Sequence, residues 1–169
     1  MTVNDSNKRI LLVEDEAIIA LREAQVLGRN GYTVTTVHSG EAAVEATEQA
    51  AQDQPFDLIL MDIDLGHGKM DGTQAAEVIL RHQDVPIVFL SSHTEPEVVE
   101  KTEGITSYGY IVKLSGDTVL LASLRMAFRL HNAHTEVKTQ KENLRHALVK
   151  QEQTEQELQQ GHGAHGQEV

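Results

Sequence analysis

Asp62 ends the apolar run Phe56-Asp57-Leu58-Ile59-Leu60-Met61, and Glu14 and Asp15 follow a second run, Ile10-Leu11-Leu12-Val13. Each run is short, continuous and bounded by polar residues, the pattern of a strand buried on both faces. A carboxylate at the C-terminal tip of such a strand lies where open parallel sheets place their ligands. If the two strands are neighbours, the carboxylates converge on one crevice. Like charges that close cannot all ionise cheaply without a cation, so these residues ask for a divalent metal and make Asp62 a candidate nucleophile. Ser91-Ser92 and Lys113 fall at or just beyond the ends of two further apolar runs. Together the set matches what phosphoryl transfer needs: a metal and a lysine to neutralise the equatorial oxygens, and a hydroxyl to position them. A carboxylate nucleophile in that setting yields an acyl phosphate.

The elements that must position these groups are legible as five apolar runs alternating with helical patterns, the signature of a βα repeat and a parallel sheet. The runs are Ile10–Val13, Thr33–Val37, Leu58–Met61, Ile87–Leu90 and Tyr108–Val112. Between them, Ile18, Leu21, Ala24 and Leu27 recur at near-helical spacing, with Asn30-Gly31 as a stop. Ser39 is placed to cap a second helix that runs through Ala51. A third helix is expected from Asp71 to His82. Thr94 with Glu97 has capping-box spacing, with Pro96 in the first turn. The last helix is expected to begin near Ser115 and carries Val119, Leu120, Leu121, Leu124, Ala127, Phe128 and Leu130.

The bulk composition narrows the function classes. A net charge of −12 with 4% aromatic residues argues against a nucleic-acid partner, which would need a basic footprint. The absence of cysteine excludes disulfides, thiolate metal sites and thiol nucleophiles. Met1 to Lys8 is polar and lacks a signal-peptide core, and no apolar run approaches the roughly 20 residues of a membrane span. A cytoplasmic protein without membrane contact is the expectation.

Four segments follow: a disordered tail over 1–7, one domain over 8–130, a helical extension over 131–160 and a disordered end over 161–169. The extension is rich in Gln, Glu, Lys and His, with Leu130, Val137, Leu144, Gln151 and Leu158 spaced by seven. The positions four residues after each (His134, Lys141, Leu148, Glu155) are mostly polar, so the heptad seam is weak. A solvated helical linker and a homodimeric coiled coil both stay open. His162 and His165 form at most a weak metal tract.

The set of site residues, in its order and spacing, resembles the receiver domain of two-component response regulators. The matching stretches are Ile10-Leu11-Leu12-Val13-Glu14-Asp15-Glu16, Asp57-Leu58-Ile59-Leu60-Met61-Asp62, Pro86-Ile87-Val88-Phe89-Leu90-Ser91-Ser92 and Gly109-Tyr110-Ile111-Val112-Lys113. The resemblance implies a flavodoxin-like α/β fold of three layers with a parallel five-stranded sheet ordered 2-1-3-4-5, here with its last helix extended. It implies that Asp62 accepts a phosphoryl group from a phosphohistidine on a histidine kinase or phosphotransfer protein. Asp15, Asp62 and the backbone carbonyl of Asp64 would bind Mg²⁺, with Glu14 acting mainly through water. Ser91 would hydrogen-bond the phosphoryl group, Lys113 would pair with one of its oxygens, and Tyr110 stands at the aromatic switch position. Output would pass through the face made by the fourth helix, fifth strand and fifth helix. Such a domain catalyses only its own phosphorylation and dephosphorylation, and is not an enzyme acting on other substrates. His93 is a candidate lining residue of the pocket mouth.

Two departures stand out. The residue after Lys113 is Leu114, where the family usually has proline across a cis bond; cis without proline costs about 3 kcal/mol, so a trans bond or an altered loop is expected. The loop Leu65-Gly66-His67-Gly68-Lys69-Met70-Asp71-Gly72 lacks the common proline and gains glycines, which suggests mobility beside the metal. One alternative is a haloacid-dehalogenase-type phosphatase, since Asp62-Ile63-Asp64 resembles that family's paired aspartates. It expects the pair on the first core strand, Thr or Val where Gly66 stands, and a later acidic pair where Asp117 is alone. The other is a degenerate receiver acting purely as a coiled-coil interaction module.

Overall fold

The computed structural model describes residues 7–66, 70–92, 94–106 and 108–164. Expectations for His93, His165, the His162 side chain, loop residues 67–69 and the chain ends before Asn7 and after Ala164 lie outside them. Strands β1 (Arg9–Val13), β2 (Thr33–Val37), β3 (Leu58–Asp62), β4 (Ile87–Ser91) and β5 (Tyr110–Val112) alternate with helices α1 (Ala17–Arg29), α2 (Gly40–Ala51), α3 (Gly72–Leu80), α4 (Pro96–Ile105) and α5 (Asp117–Ala164). The strands form one parallel sheet in the order β2-β1-β3-β4-β5, the flavodoxin-like arrangement.

Period-two alternation along the strands builds two cores, one on each sheet face. Leu11, Val13, Ile59, Met61, Ile87 and Phe89 point to one side, with Ala43 of α2 and Ala75, Ala76 and Ile79 of α3. Ile10, Leu12, Leu58, Leu60, Val88 and Leu90 point to the other, with Leu27 of α1 and Leu120, Leu124, Ala127 and Phe128 of α5. The compact domain extends to His131 and the rest of α5 forms a second unit. None of the described helices is long and apolar enough to cross a membrane.

Local chemistry explains the helix ends. Ser39 caps α2 by accepting from the Ala42 N–H at 3.1 Å. Asp71 and Gln74 form a reciprocal capping box at α3. The capping box expected from Thr94 is absent: Pro96 takes the first helical position, so Glu95 is the N-cap residue, without a side-chain cap bond. The expected stop before Gly161 is also absent, because α5 runs to Ala164. A helix-interior glycine costs only about 1 kcal/mol relative to alanine, so Gly161 and Gly163 need not end the helix. In α1 the predicted series does not form one inward stripe: Ala20 and Leu27 are buried, whereas Ile18 and Leu21 are exposed. At about 100° per residue, the nine positions from Ile18 to Leu27 place them roughly opposite each other.

β5 begins at Tyr110, two residues later than expected. Tyr108 instead packs on α5, its ring edge-on to His131 with centroids 5.3 Å apart and its hydroxyl 3.2 Å from His131 Nδ1. The Lys113–Leu114 bond is trans, since no cis peptide occurs among the described residues, and Leu114 adopts φ +64° with its side chain 83% exposed. The altered loop replaces the proline geometry with a left-handed residue and a second positive φ at Gly116 (+102°).

Candidate functional site

The C-terminal rim of the sheet gathers the predicted groups. Glu14 follows β1 and its backbone is held twice at the end of β2: its N–H donates to the Val37 carbonyl at 3.1 Å, and its own carbonyl accepts from His38 Nδ1 at 2.8 Å. Its side chain is fully buried. Asp62 is the last residue of β3, also fully buried. The Asp64 N–H donates to Asp62 Oδ1 at 3.1 Å, which fixes the carboxylate plane. Ser91 ends β4 and is buried; Ser92 beyond it is exposed. The Lys113 N–H donates to the Ser91 carbonyl at 2.8 Å, so the lysine and the serine are linked through the backbone.

Lys113 Nζ joins the two buried acids. It lies 2.9 Å from Asp62 Oδ2 and hydrogen-bonds Glu14 Oε1 at 3.3 Å. Glu14 Oε2, at 3.1 Å, is an ion-pair contact without hydrogen-bond geometry. One ammonium thus faces two carboxylates where water is largely excluded. Burial, then the Asp62 charge, push the Glu14 carboxyl up to about 8 against the pull of Lys113. Burial likewise raises Asp62, although hydrogen bonding and charge from Lys113 oppose it. Burial disfavours the charged lysine, but the hydrogen bond and charge of Asp62, then those of Glu14, outweigh it and hold Lys113 protonated beyond the ordinary range. Such a site favours an added positive charge near the acids.

Glu14, Asp15 and Glu16 each offer a carboxylate oxygen within 4.8 Å of the others. These hard oxygen donors suit Mg²⁺ or a similar cation. Asp15 Oδ2 also accepts from the Gly66 N–H at 3.1 Å, tying the loop after β3 to the acidic cluster. Asp62 stands outside that trio, its Oδ2 taken by Lys113. Asp64 is exposed, and its N–H engages Asp62. Asp15 does not cap α1: the N-cap residue is Glu16. Tyr110 is half-buried against the core on the α2–α3–α4 side.

Three participants escaped the sequence reading. Glu16 completes the carboxylate trio; its signal was the unbroken Glu-Asp-Glu run. Gly72 packs its Cα against the backbone of Asp62 and Ile63. A Cβ there would overlap the Asp62 carbonyl oxygen and lie 2.8 Å from its carbon. The Gly72 N–H donates to the Ile63 carbonyl at 2.9 Å. Glu23, on α1, has a buried Oε2 without a hydrogen bond and lines a cavity of about 60 Å³ with Arg22, Lys113, Leu114 and Ser115. Burial raises its carboxyl to about 7, with Lys113 lowering and Asp62 raising it. Its signal was an acid three residues after Ala20 on the buried side of α1.

Comparison with known proteins agrees with this geometry. The response regulator receiver domain family matches residues 10–125. The transcriptional regulatory protein PdtaR of Mycobacterium tuberculosis is 32% identical over 122 residues, 71% of this chain and 56% of that protein. The chain therefore spans just over half the length of that relative. A solved N-terminal domain of a response regulator/sensory box/GGDEF three-domain protein from Carboxydothermus hydrogenoformans is 46% identical, covering 76% of this chain and 99% of that one, with a TM-score of 0.67. The BeF₃-activated N-terminal receiver domain of Klebsiella pneumoniae RstA is 31% identical, covering 72% and 99%, with a TM-score of 0.62. Fold, rim chemistry and these matches agree, and the chain belongs to the response regulator receiver domain family.

Proposed function

We propose that Asp62 is the phosphoacceptor of a two-component phosphorelay. The observation that carries this reading is a fully buried carboxylate at the end of β3, held 2.9 Å from the Lys113 ammonium beside an acidic cluster. An Asp62 oxygen attacks the phosphorus of a phosphohistidine on a histidine kinase or phosphotransfer protein. A P–O bond forms, the P–N bond breaks, and the imidazole leaves with the proton it then carries. Lys113 loses one carboxylate partner and gains a phosphoryl oxygen. Asp64 orients the nucleophile through its N–H, and the Ser91 hydroxyl hydrogen-bonds an oxygen of the group once it is on Asp62. The chain thereby acts on itself alone.

The donor set fits Mg²⁺: Glu14 and Asp15 would hold it with Asp62 and the Asp64 carbonyl, and Glu16 extends the set. When bound, the cation supplies positive charge against the carboxylates and the phosphoryl oxygens. Because the Lys113 N–H is bonded to the Ser91 carbonyl, recruitment of both side chains to a phosphoryl group pulls on the end of β5. This supports output through the α4–β5–α5 face, with Tyr110 as the responding ring, and onward into the extended helix. The phosphatase alternative is disfavoured by the exposed Asp64 side chain and by the place of Asp62 on the third strand.

Calorimetric titration with Mg²⁺ and beryllofluoride tests this. Joint binding by the wild type, with the beryllofluoride step lost in Asp62→Asn, is expected. Binding unaffected by Asp62→Asn would overturn the assignment.

A further inference from the structure

From Asn132 to Gly161 every side chain of α5 is exposed, including Val137, Leu144, Leu148, Val149 and Leu158. A single helix in water has no reason to repeat large apolar residues along one line. Val137, Leu144, Gln151 and Leu158 form such a line. The residues four positions after each are mostly polar, but the other side of the line differs. Ala133, Gln140, Ala147 and Thr154 stand four residues before them. The combined series 133-137-140-144-147-151-154-158 advances by four and three in turn, the spacing of a coiled-coil seam. Val, Leu, Gln and Leu fill its a positions, and Ala, Gln, Ala and Thr fill its d positions.

We infer that residues 133–158 pair with the same segment of a second copy of this chain as a parallel, in-register, two-stranded coiled coil. Charge complementarity identifies the occupant. In that arrangement each g residue faces the e residue five positions later on the other helix. Glu136 then meets Lys141 and Lys150 meets Glu155, each twice by symmetry, while Asn143 meets Leu148. No like charges oppose one another. The two seam glutamines face their own symmetry mates, so each amide has both a donor and an acceptor opposite it. Gln151, at an a position, then acts as a register-setting layer, which costs stability and gains specificity. Small d residues and polar layers make the pair weak. Val149 lies off the seam. This pairing does not depend on phosphorylation at Asp62.

Sedimentation equilibrium of the full chain, with charge-reversal variants and directed crosslinking, provides the test. The wild type should form dimers, and Leu144→Glu should abolish them. Glu155→Lys should weaken association about tenfold by opposing Lys150, and Lys150→Glu with Glu155→Lys should restore it. Positions 150 and 155 are too far apart in sequence to pair within one helix, so rescue reports contact between helices. The chain has no cysteine of its own, so Ala133→Cys reports orientation directly. It should oxidise to a disulfide-linked dimer, which requires the two residues 133 to be adjacent. A monomer at all concentrations, a trimer, a dimer that survives Leu144→Glu, or a dimer in which Ala133→Cys does not crosslink would overturn the inference.

Discussion

Gly72 tests whether the backbone beneath Asp62 is as tightly built as the site requires. An added methyl group would overlap the Asp62 carbonyl oxygen and stand 2.8 Å from its carbon and 2.9 Å from Ile63 Cα. Ordinary carbon contacts lie near 3.5–4.0 Å, and here the obstacles are main-chain atoms of β3 and its exit, not flexible side-chain ends. The chain must separate α3 from β3, which also strains the Gly72 N–H to Ile63 carbonyl bond of 2.9 Å. Overpacking a well-filled core costs about 1–3 kcal/mol, and a backbone obstacle places Gly72→Ala at or above the upper end, about 3 kcal/mol. Gly28 is the matched control, because a Cβ there meets nothing within 4 Å and the residue lies inside α1. Gly28→Ala should gain about 0.5–1 kcal/mol from helix propensity. Urea unfolding followed by circular dichroism reads both, and thermal melts of Gly72→Ala should fall by roughly 10 °C. A Gly72→Ala protein within about 0.5 kcal/mol of wild type, the scatter of ordinary surface substitutions, would refute the claim that this contact fixes the end of β3.

Two further outcomes follow from the buried charges. Lys113→Met leaves Glu14 and Asp62 facing each other without an ammonium; in the presence of chelator it should lose about 3 kcal/mol in urea unfolding, and adding Glu14→Gln should recover part of that loss, so a wild-type midpoint for Lys113→Met would contradict the pairing. Glu23 releases its proton near 4.5 in the unfolded chain and, raised by burial, at about 7 when folded, so the folded state holds more protons in that window and stability declines as pH rises through it. Glu23→Gln should therefore match wild type near pH 4.5 and exceed it at pH 8 by about 1–2 kcal/mol after allowance for partial solvent screening; a variant less stable than wild type at pH 8 would show that the carboxylate is wanted in its charged form.

Much of this molecule was readable before its structure, for identifiable reasons. Strands buried on both faces announce themselves as unbroken apolar runs, and all five stand where those runs are, so Asp62, Ser91 and Lys113 could be placed on one rim. The strand order came through family resemblance, since apolar runs do not carry it. What stayed hidden depends on three-dimensional neighbours. That Lys113 would bridge Glu14 and Asp62, and that Gly72 would press on the Asp62 carbonyl, are contacts between residues far apart in sequence. Ile18 and Leu21 misled because a spacing of three drifts around a helix, carrying them away from the face that buries Ala20 and Leu27. Thr94 misled because Pro96 claims the first helical position and shifts the cap by one residue.

Intact mass after incubation with Mg²⁺ and a small-molecule acyl phosphate, alongside Asp62→Asn, tests the central claim most directly. One metal-dependent phosphoryl adduct on the wild type, absent from Asp62→Asn, is the predicted result. An adduct of equal yield on Asp62→Asn, or none on the wild type when beryllofluoride and Mg²⁺ also fail to bind, would contradict the phosphoacceptor assignment.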